Sequence, residues 1–230
     1  MNELRTRLII IILILAAGIS ILAALLHFRK SAPVTLILPN FSWERSAFKV
    51  IDQATETAQL TPLRKTQLYP NDIEIRIWRG FGLSELEAVI LKRNGSQWSA
   101  FHLQTDTSNP PFEKAQVEEL KEPKSGWGKF WKQMNDQRLL ELPDANEIDC
   151  DVSIIDGTVY VIEVNQNGTY RTYHYESGIE KCLEAKQMDE ISRIISLEFE
   201  SGLEYELQQC QRELWFACKS YRRKLEQINR

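Results

Sequence analysis

The chain opens on a run with no charge: Leu8 to Leu26 is apolar through nineteen residues, broken only by Gly18 and Ser20. That is long enough to cross a bilayer as a helix, whereas a helix in a soluble core seldom stays apolar on every side for five turns. Downstream the pattern becomes periodic. Ser42 is a capping residue for a helix over about 43–58, in which Phe48, Ile51 and Ala54 or Thr55 share a face. The stretch Leu60 to Pro70 has two prolines and no period, and is expected to be a loop. From Asp72 onward strands are expected. Ile73-Glu-Ile-Arg-Ile-Trp78 alternates apolar and polar residues, as a half-buried strand does. Leu86 to Leu91 and Trp98 to Leu103 follow, joined by Asn94-Gly95, a dipeptide suited to a tight hairpin.

After a polar, proline-bearing segment from Asp106 to Ser125, residues Trp127, Phe130, Trp131 and Met134 line one side of a helix that ends by Leu142-Pro143-Asp144. A second meander is expected from Val152–Ile155, Val159–Val164 and Tyr170–Tyr175, with turns at Asp156-Gly157 and Asn167-Gly168. A helix over about 181–200 carries Met188, Ile191, Ile194 and Ile195 at helical spacing. Ser201-Gly202 breaks it before a last helix, about 203–228.

These elements predict an α+β architecture: an N-terminal transmembrane helix, an antiparallel sheet from two three-stranded meanders, each followed by a helix, and a C-terminal helical hairpin. The helices are expected on one face of the sheet. The organisation reads as a tail and anchor (1–30), a connector with a short helix (31–71), the α+β domain (72–200) and a C-terminal helix packed on it (201–230).

Charge divides the chain in two. The whole carries 28 Lys+Arg against 32 Asp+Glu; without the first 30 residues the count is 24 against 31, a balance of −7. Such a surface argues against a nucleic-acid binder held by phosphate contacts. The apolar run is longer than a signal-peptide core, and Leu-Leu-His-Phe-Arg-Lys after it is no cleavage site. The lipid bilayer is therefore the first expected partner, through residues 8–26. Arg5 and Arg7 precede the run and Arg29 and Lys30 follow it, so the flanking charges nearly balance. A short tail before a strong apolar segment resembles a signal anchor, with the N-terminus inside and the domain outside the cytoplasm.

Little in the chain carries chemistry. Only three histidines occur, His27, His102 and His174, with no metal-ligand spacing, glycine-rich phosphate loop or nucleophile elbow. No catalytic residue, cofactor or metal is assigned. The acidic stretch from Asp144 to Asp151 lacks the glycine and glutamate an EF-hand requires, and reads as a solvated turn. If the domain is exported, the four cysteines permit disulfides. Cys210 and Cys218 lie too far apart along one helix to bridge, and a fold-back at Gly202 would bring Cys182 beside Cys218, the candidate pair.

Another protein is the second expected partner. Tyr170, Tyr173, His174 and Tyr175 cluster on one strand and, with Trp215 and Phe216 off the apolar seam of the last helix, form the candidate partner surface. Trp127 and Trp131 are expected in the core. The leading functional expectation is a membrane-displayed interaction domain: an inhibitor, an immunity protein or an accessory subunit of an envelope assembly. Two alternatives stand beside it. One is an anchored hydrolase using Asp149, Asp151 and Glu163 with His102 or His174. The other is a scaffold forming homo-oligomers through its last helix.

The order Phe130-Trp131, Leu142-Pro143-Asp144, Asp156-Gly157 leading to Glu163, and Gly168 leading to Tyr175 resembles a group of uncharacterised bacterial domains with "Phe-Trp", "Asp-Gly…Glu" and "Gly-x-Tyr" motifs. The likeness covers about residues 73–197. It implies a shared fold unit and a bacterial source, but no activity and no catalytic residue.

Overall fold

The computed structural model describes residues 42–81, 84–148, 150, 158–179 and 181–199. The apolar run at 8–26, the strand expected at 152–155, Asp149, Asp151, and the last helix with Cys210, Trp215, Phe216 and Cys218 lie outside the described residues. Among the described residues no helix is long and apolar enough to cross a membrane.

The elements are α1 (Ser42–Thr57), a 3₁₀ turn (Leu63–Lys65), β1 (Ile73–Arg79), β2 (Glu87–Asn94), β3 (Gln97–Thr105), β4 (Ala115–Leu120), α2 (Trp127–Asp136), a second 3₁₀ turn (Ala145–Glu147), β5 (Val159–Gln166), β6 (Thr169–Glu176) and α3 (Leu183–Phe199). The fold is α+β, as its sequence predicts. Among the described residues six strands form one antiparallel sheet in the order β4-β3-β2-β1-β5-β6.

The first meander extends beyond its expected three strands, because β4, inside the polar, proline-bearing segment, pairs with β3. Ala-Gln-Val-Glu-Glu-Leu shows no alternation because most of β4 is exposed, so no buried face imposes one. The second hairpin turns on its Asn167-Gly168 dipeptide, whereas the first turns one residue later than expected, on Gly95-Ser96, with Asn94 still paired to Gln97. Gly95 starts the two-residue loop between β2 and β3 at φ +62°, where a type II′ turn prefers glycine. Asn167 and Gly168 both adopt positive φ between β5 and β6, as a type I′ turn requires.

The sheet is covered on both faces, not on one. Ile73, Ile75 and Ile77 point to one side, where they pack with Phe130 and Met134 of α2 and Met188 and Ile191 of α3. Trp78, Ile90 and Leu103 point to the other, beneath Phe48, Ile51 and Ala54 of α1. The helix expected in a connector is thus part of the domain core. It also buries the polar face of β1, whose first six residues are all buried instead of alternating.

The disulfide expectation is corrected. Cys182 is bonded to Cys150, not to Cys218, with a Cα–Cα separation of 5.6 Å. Both cysteines sit in the α2/α3 core, so the bond ties the chain after Ala145–Glu147 to the start of α3. A fold-back at Gly202 would set Cys182 against the last helix, whereas Cys150 reads from sequence as part of a solvated turn. That turn is partly buried as well: the Asp144 side chain accepts from the Asn146 amide and closes a capping box with Glu147.

Candidate functional site

Glu74 and Arg76 of β1 and Glu163 and Asn165 of β5 lie on the face of the sheet that α1 covers. There Glu163 is fully buried and accepts from Trp78 Nε1 at 2.7 Å and from the Tyr170 hydroxyl at 2.8 Å. Arg76, its register partner on β1, donates through Nε and Nη2 to Glu74 Oε1 at 2.9 and 2.7 Å, and through Nη2 to the Thr61 carbonyl at 2.9 Å. Lys92 Nζ lies 3.4 Å from the second Glu74 oxygen. Two further contacts fasten the covering elements. Thr172 Oγ1 donates to Glu44 Oε1 of α1 at 2.9 Å, and Asn165 Nδ2 donates to the Thr66 carbonyl at 2.7 Å. Arg64 also pairs with Asp52 of α1. Burial raises the Glu163 carboxyl above its ordinary range, against the opposing charge of Arg76 and the bonds from Trp78 and Tyr170. Burial likewise pushes the Tyr170 hydroxyl far up. The network is a buried polar seam that positions α1 over the sheet.

A second cluster lies on the opposite face. Glu87 Oε2 accepts from Arg79 Nε at 3.0 Å and Nη2 at 2.8 Å, and stands 3.5 Å from His102 Nε2. Burial works to raise Glu87, but His102 and Arg79 prevail and hold it at about 2. Beside it a small hollow of about 20 Å³ lies between Ile77 and Tyr160 of the sheet and Ser192 and Ile195 of α3. Glu118 faces His102 across β3 and β4.

Among the described residues, Glu163, His102 and His174 of the hydrolase alternative are not brought together. Glu163 lies under α1, His102 is on the other face of the sheet, and His174 sits at β6 with Nδ1 3.0 Å from Asp144 Oδ2 and its ring 4.3 Å from that of Trp43. Among the described residues no three His, Cys, Asp or Glu side chains gather as a metal site would.

The tyrosine surface is corrected. Tyr170, Tyr173 and Tyr175 are 5%, 0% and 0% exposed. Both faces of β6 are covered, so alternate tyrosines enter the two cores, and their hydroxyls find buried acceptors: Glu163 for Tyr170, the Leu139 carbonyl for Tyr173 and the Pro143 carbonyl for Tyr175.

What remains open is elsewhere. The outer edge of β6 is sealed by the chain from Leu139 to Asp144: Arg171 donates to the Leu140 and Leu142 carbonyls, and the His174 amide donates to Asp144 at 3.0 Å. At the opposite edge, Gln116, Val117, Glu118 and Glu119 of β4 are all exposed. Their sequence signal was the paired glutamates in a run without apolar period, which reads equally as loop. A third surface surrounds Trp98, which stacks on Trp127 at 5.5 Å and meets Trp131 at 4.6 Å. Trp127 and Trp131, expected in the core, instead border it, and all three rings are only half-buried.

No family model matches the chain, and neither does any curated protein or solved structure.

Proposed function

We propose that this chain is a single-pass membrane protein that displays its α+β domain outside the cytoplasm, where it binds another protein as an inhibitor, immunity protein or accessory subunit of an envelope assembly. The observation that carries the reading is the asymmetry of the sheet edges. One edge is sealed by side-chain and backbone contacts, while β4 presents four consecutive exposed residues. An exposed strand edge is a template for pairing with another chain. The bond between Cys150 and Cys182 supports the location, since disulfides persist in oxidising compartments. The tether itself rests on residues 8–26 and their flanking charges.

A photo-cross-linking residue placed at Val117 of the full-length protein, in its native membrane, tests the reading. A discrete protein adduct is expected from Val117 and not from the exposed Lys186 of α3. Identical labelling at the two positions, or none at either, would count against it.

A further inference from the structure

Two rows of charged side chains cross the sheet, one on each face, and both run out at β4. On the face that α3 covers, Arg79 of β1 pairs with Glu87 of β2 at 2.8 Å, and Glu87 stands 3.5 Å from His102 Nε2 of β3. His102 is in turn the register partner of Glu118 of β4. On the face that α1 covers, Arg76 pairs with Glu74, Glu74 meets Lys92 Nζ at 3.4 Å, and Lys92 reaches over the Phe101 ring at 5.7 Å. Phe101 is the register partner of Glu119. Basic side chains and carboxylates alternate along each row, as cross-strand pairs favour. Each row ends on a carboxylate, and no cation among the described residues lies within ion-pair distance of Glu118 or Glu119.

The two glutamates are adjacent, so their side chains leave β4 on opposite faces, as do adjacent residues of any strand laid beside it. Gln116 and Val117 next to them are exposed and uncharged. Beyond each end of β4 the sequence adds a balanced pair, Glu113 with Lys114 and Lys121 with Glu122, which leaves the charge of the edge to Glu118 and Glu119. A second copy of this chain is a poor occupant, because β4 against β4 sets four carboxylates along one seam with no base among the paired residues. An extended segment with two consecutive basic residues is the complement: one continues the row beyond Glu118 and the other the row beyond Glu119, while the backbones pair.

We propose that β4 takes a partner's extended segment as an added strand and selects one in which two consecutive Lys or Arg residues stand opposite Glu118 and Glu119. This rests on the reading of β4 as the partner-binding edge and adds the chemistry of what it binds.

The test places a photo-cross-linker at Val117 of the full-length protein in its native membrane and maps the adduct by mass spectrometry. The expected adduct joins another protein at a segment with two adjacent basic residues within about three positions of the link, in a yield that falls with salt. Glu118→Lys with Glu119→Lys should lower the yield roughly tenfold, since each pair turns from attraction to repulsion, and Glu118→Gln with Glu119→Gln roughly threefold. Circular dichroism should be unchanged in both, and the Gln pair decides if the reversed pair alters it. Full yield in the variants, or a linked segment without basic residues, overturns the charge selection and leaves the binding edge standing. An adduct to a second copy or within the same chain also overturns the proposal. No adduct from Val117 in any form overturns it together with the reading of β4 as a binding edge.

Discussion

Arg76 and Glu163 stand directly opposite each other on β1 and β5, 2% and 0% exposed, although the nearest hydrogen-bonding partners of Arg76 are Glu74 and Thr61 and those of Glu163 are Trp78 and Tyr170. Each group is held by its own set of partners, and the two sets meet under α1. Removing one member leaves the other with uncompensated polarity in the interior.

Glu163→Ala is therefore expected to cost about 3–5 kcal/mol, because it strands the Trp78 and Tyr170 donors and leaves the Arg76 charge less balanced. Glu163→Gln keeps the shape and one acceptor, and is expected to cost about 1–2 kcal/mol. Urea denaturation of the two variants checks the order. Equal losses would mean that the volume and the acceptor kept by Gln contribute nothing and that the negative charge carries the whole effect.

The pH response has a predictable sign. Glu87 titrates at about 2 in the folded chain against an ordinary value of 4.5. Its contribution is fully present above 4.5 and is lost as pH falls toward 2. Asp144 adds in the same direction: burial would raise it, but the bonds from His174 and Asn146 hold it low. Glu163 is raised, so its contribution is greatest at low pH and declines as pH rises through its folded value. Stability measured between pH 5 and 2 should fall, and Glu87→Gln should flatten that slope. An unchanged slope in the variant would remove Glu87 from the account.

Opening the disulfide should weaken the domain without unravelling its sheet. The bond closes a loop of sequence separation 32, for which chain entropy gives about 3–4 kcal/mol. Cys150→Ser with Cys182→Ser is expected to lower thermal stability by that amount while far-ultraviolet circular dichroism stays the same. Peptide mapping without reductant should recover a Cys150–Cys182 fragment; a Cys182–Cys218 fragment would reinstate the pairing inferred from sequence.

Gly80 follows β1 at φ +99°, and a Cβ built there would approach the Glu85 carbonyl oxygen to 2.2 Å. Both backbone strain and a backbone clash oppose any side chain. Gly80→Ala is expected to cost more than about 2 kcal/mol, whereas Gly128→Ala, with open space on its helix, should cost nothing or stabilise by about 0.5–1 kcal/mol. Comparing the two melting temperatures separates a required glycine from a tolerated one.

The elements legible from sequence are those with one buried face. Phe48, Ile51 and Ala54 reveal α1, and the Asn-Gly pairs reveal the two tight hairpins, β2–β3 and β5–β6. The connector was misplaced because its helix packs on a face of β1 that looks solvent-facing: Glu74 and Arg76 are polar by composition yet buried by their ion pair. The tyrosines failed for a related reason. A Tyr on a strand exposed on one side marks a surface, but β6 is enclosed on both sides and its hydroxyls are satisfied internally. Glu87 carries no signal in the sequence, and nothing there joins it to His102, since their proximity is created by strand register and not by spacing.

The position of β1 also dictates the order in which the molecule can assemble. Its partner on one side, β2, follows within a short connection, but the contact between Trp78 and Glu163 on the other side spans 85 residues. A chain emerging from its N-terminus holds four strands of the sheet before β5 exists. The middle of the finished sheet is then a temporary border, covered only once the last hairpin arrives, and α1 can seal its polar seam only after that. Slow arrival of β5 and β6 would extend the life of an intermediate with an unpaired central strand, the species most prone to pair with a neighbouring chain.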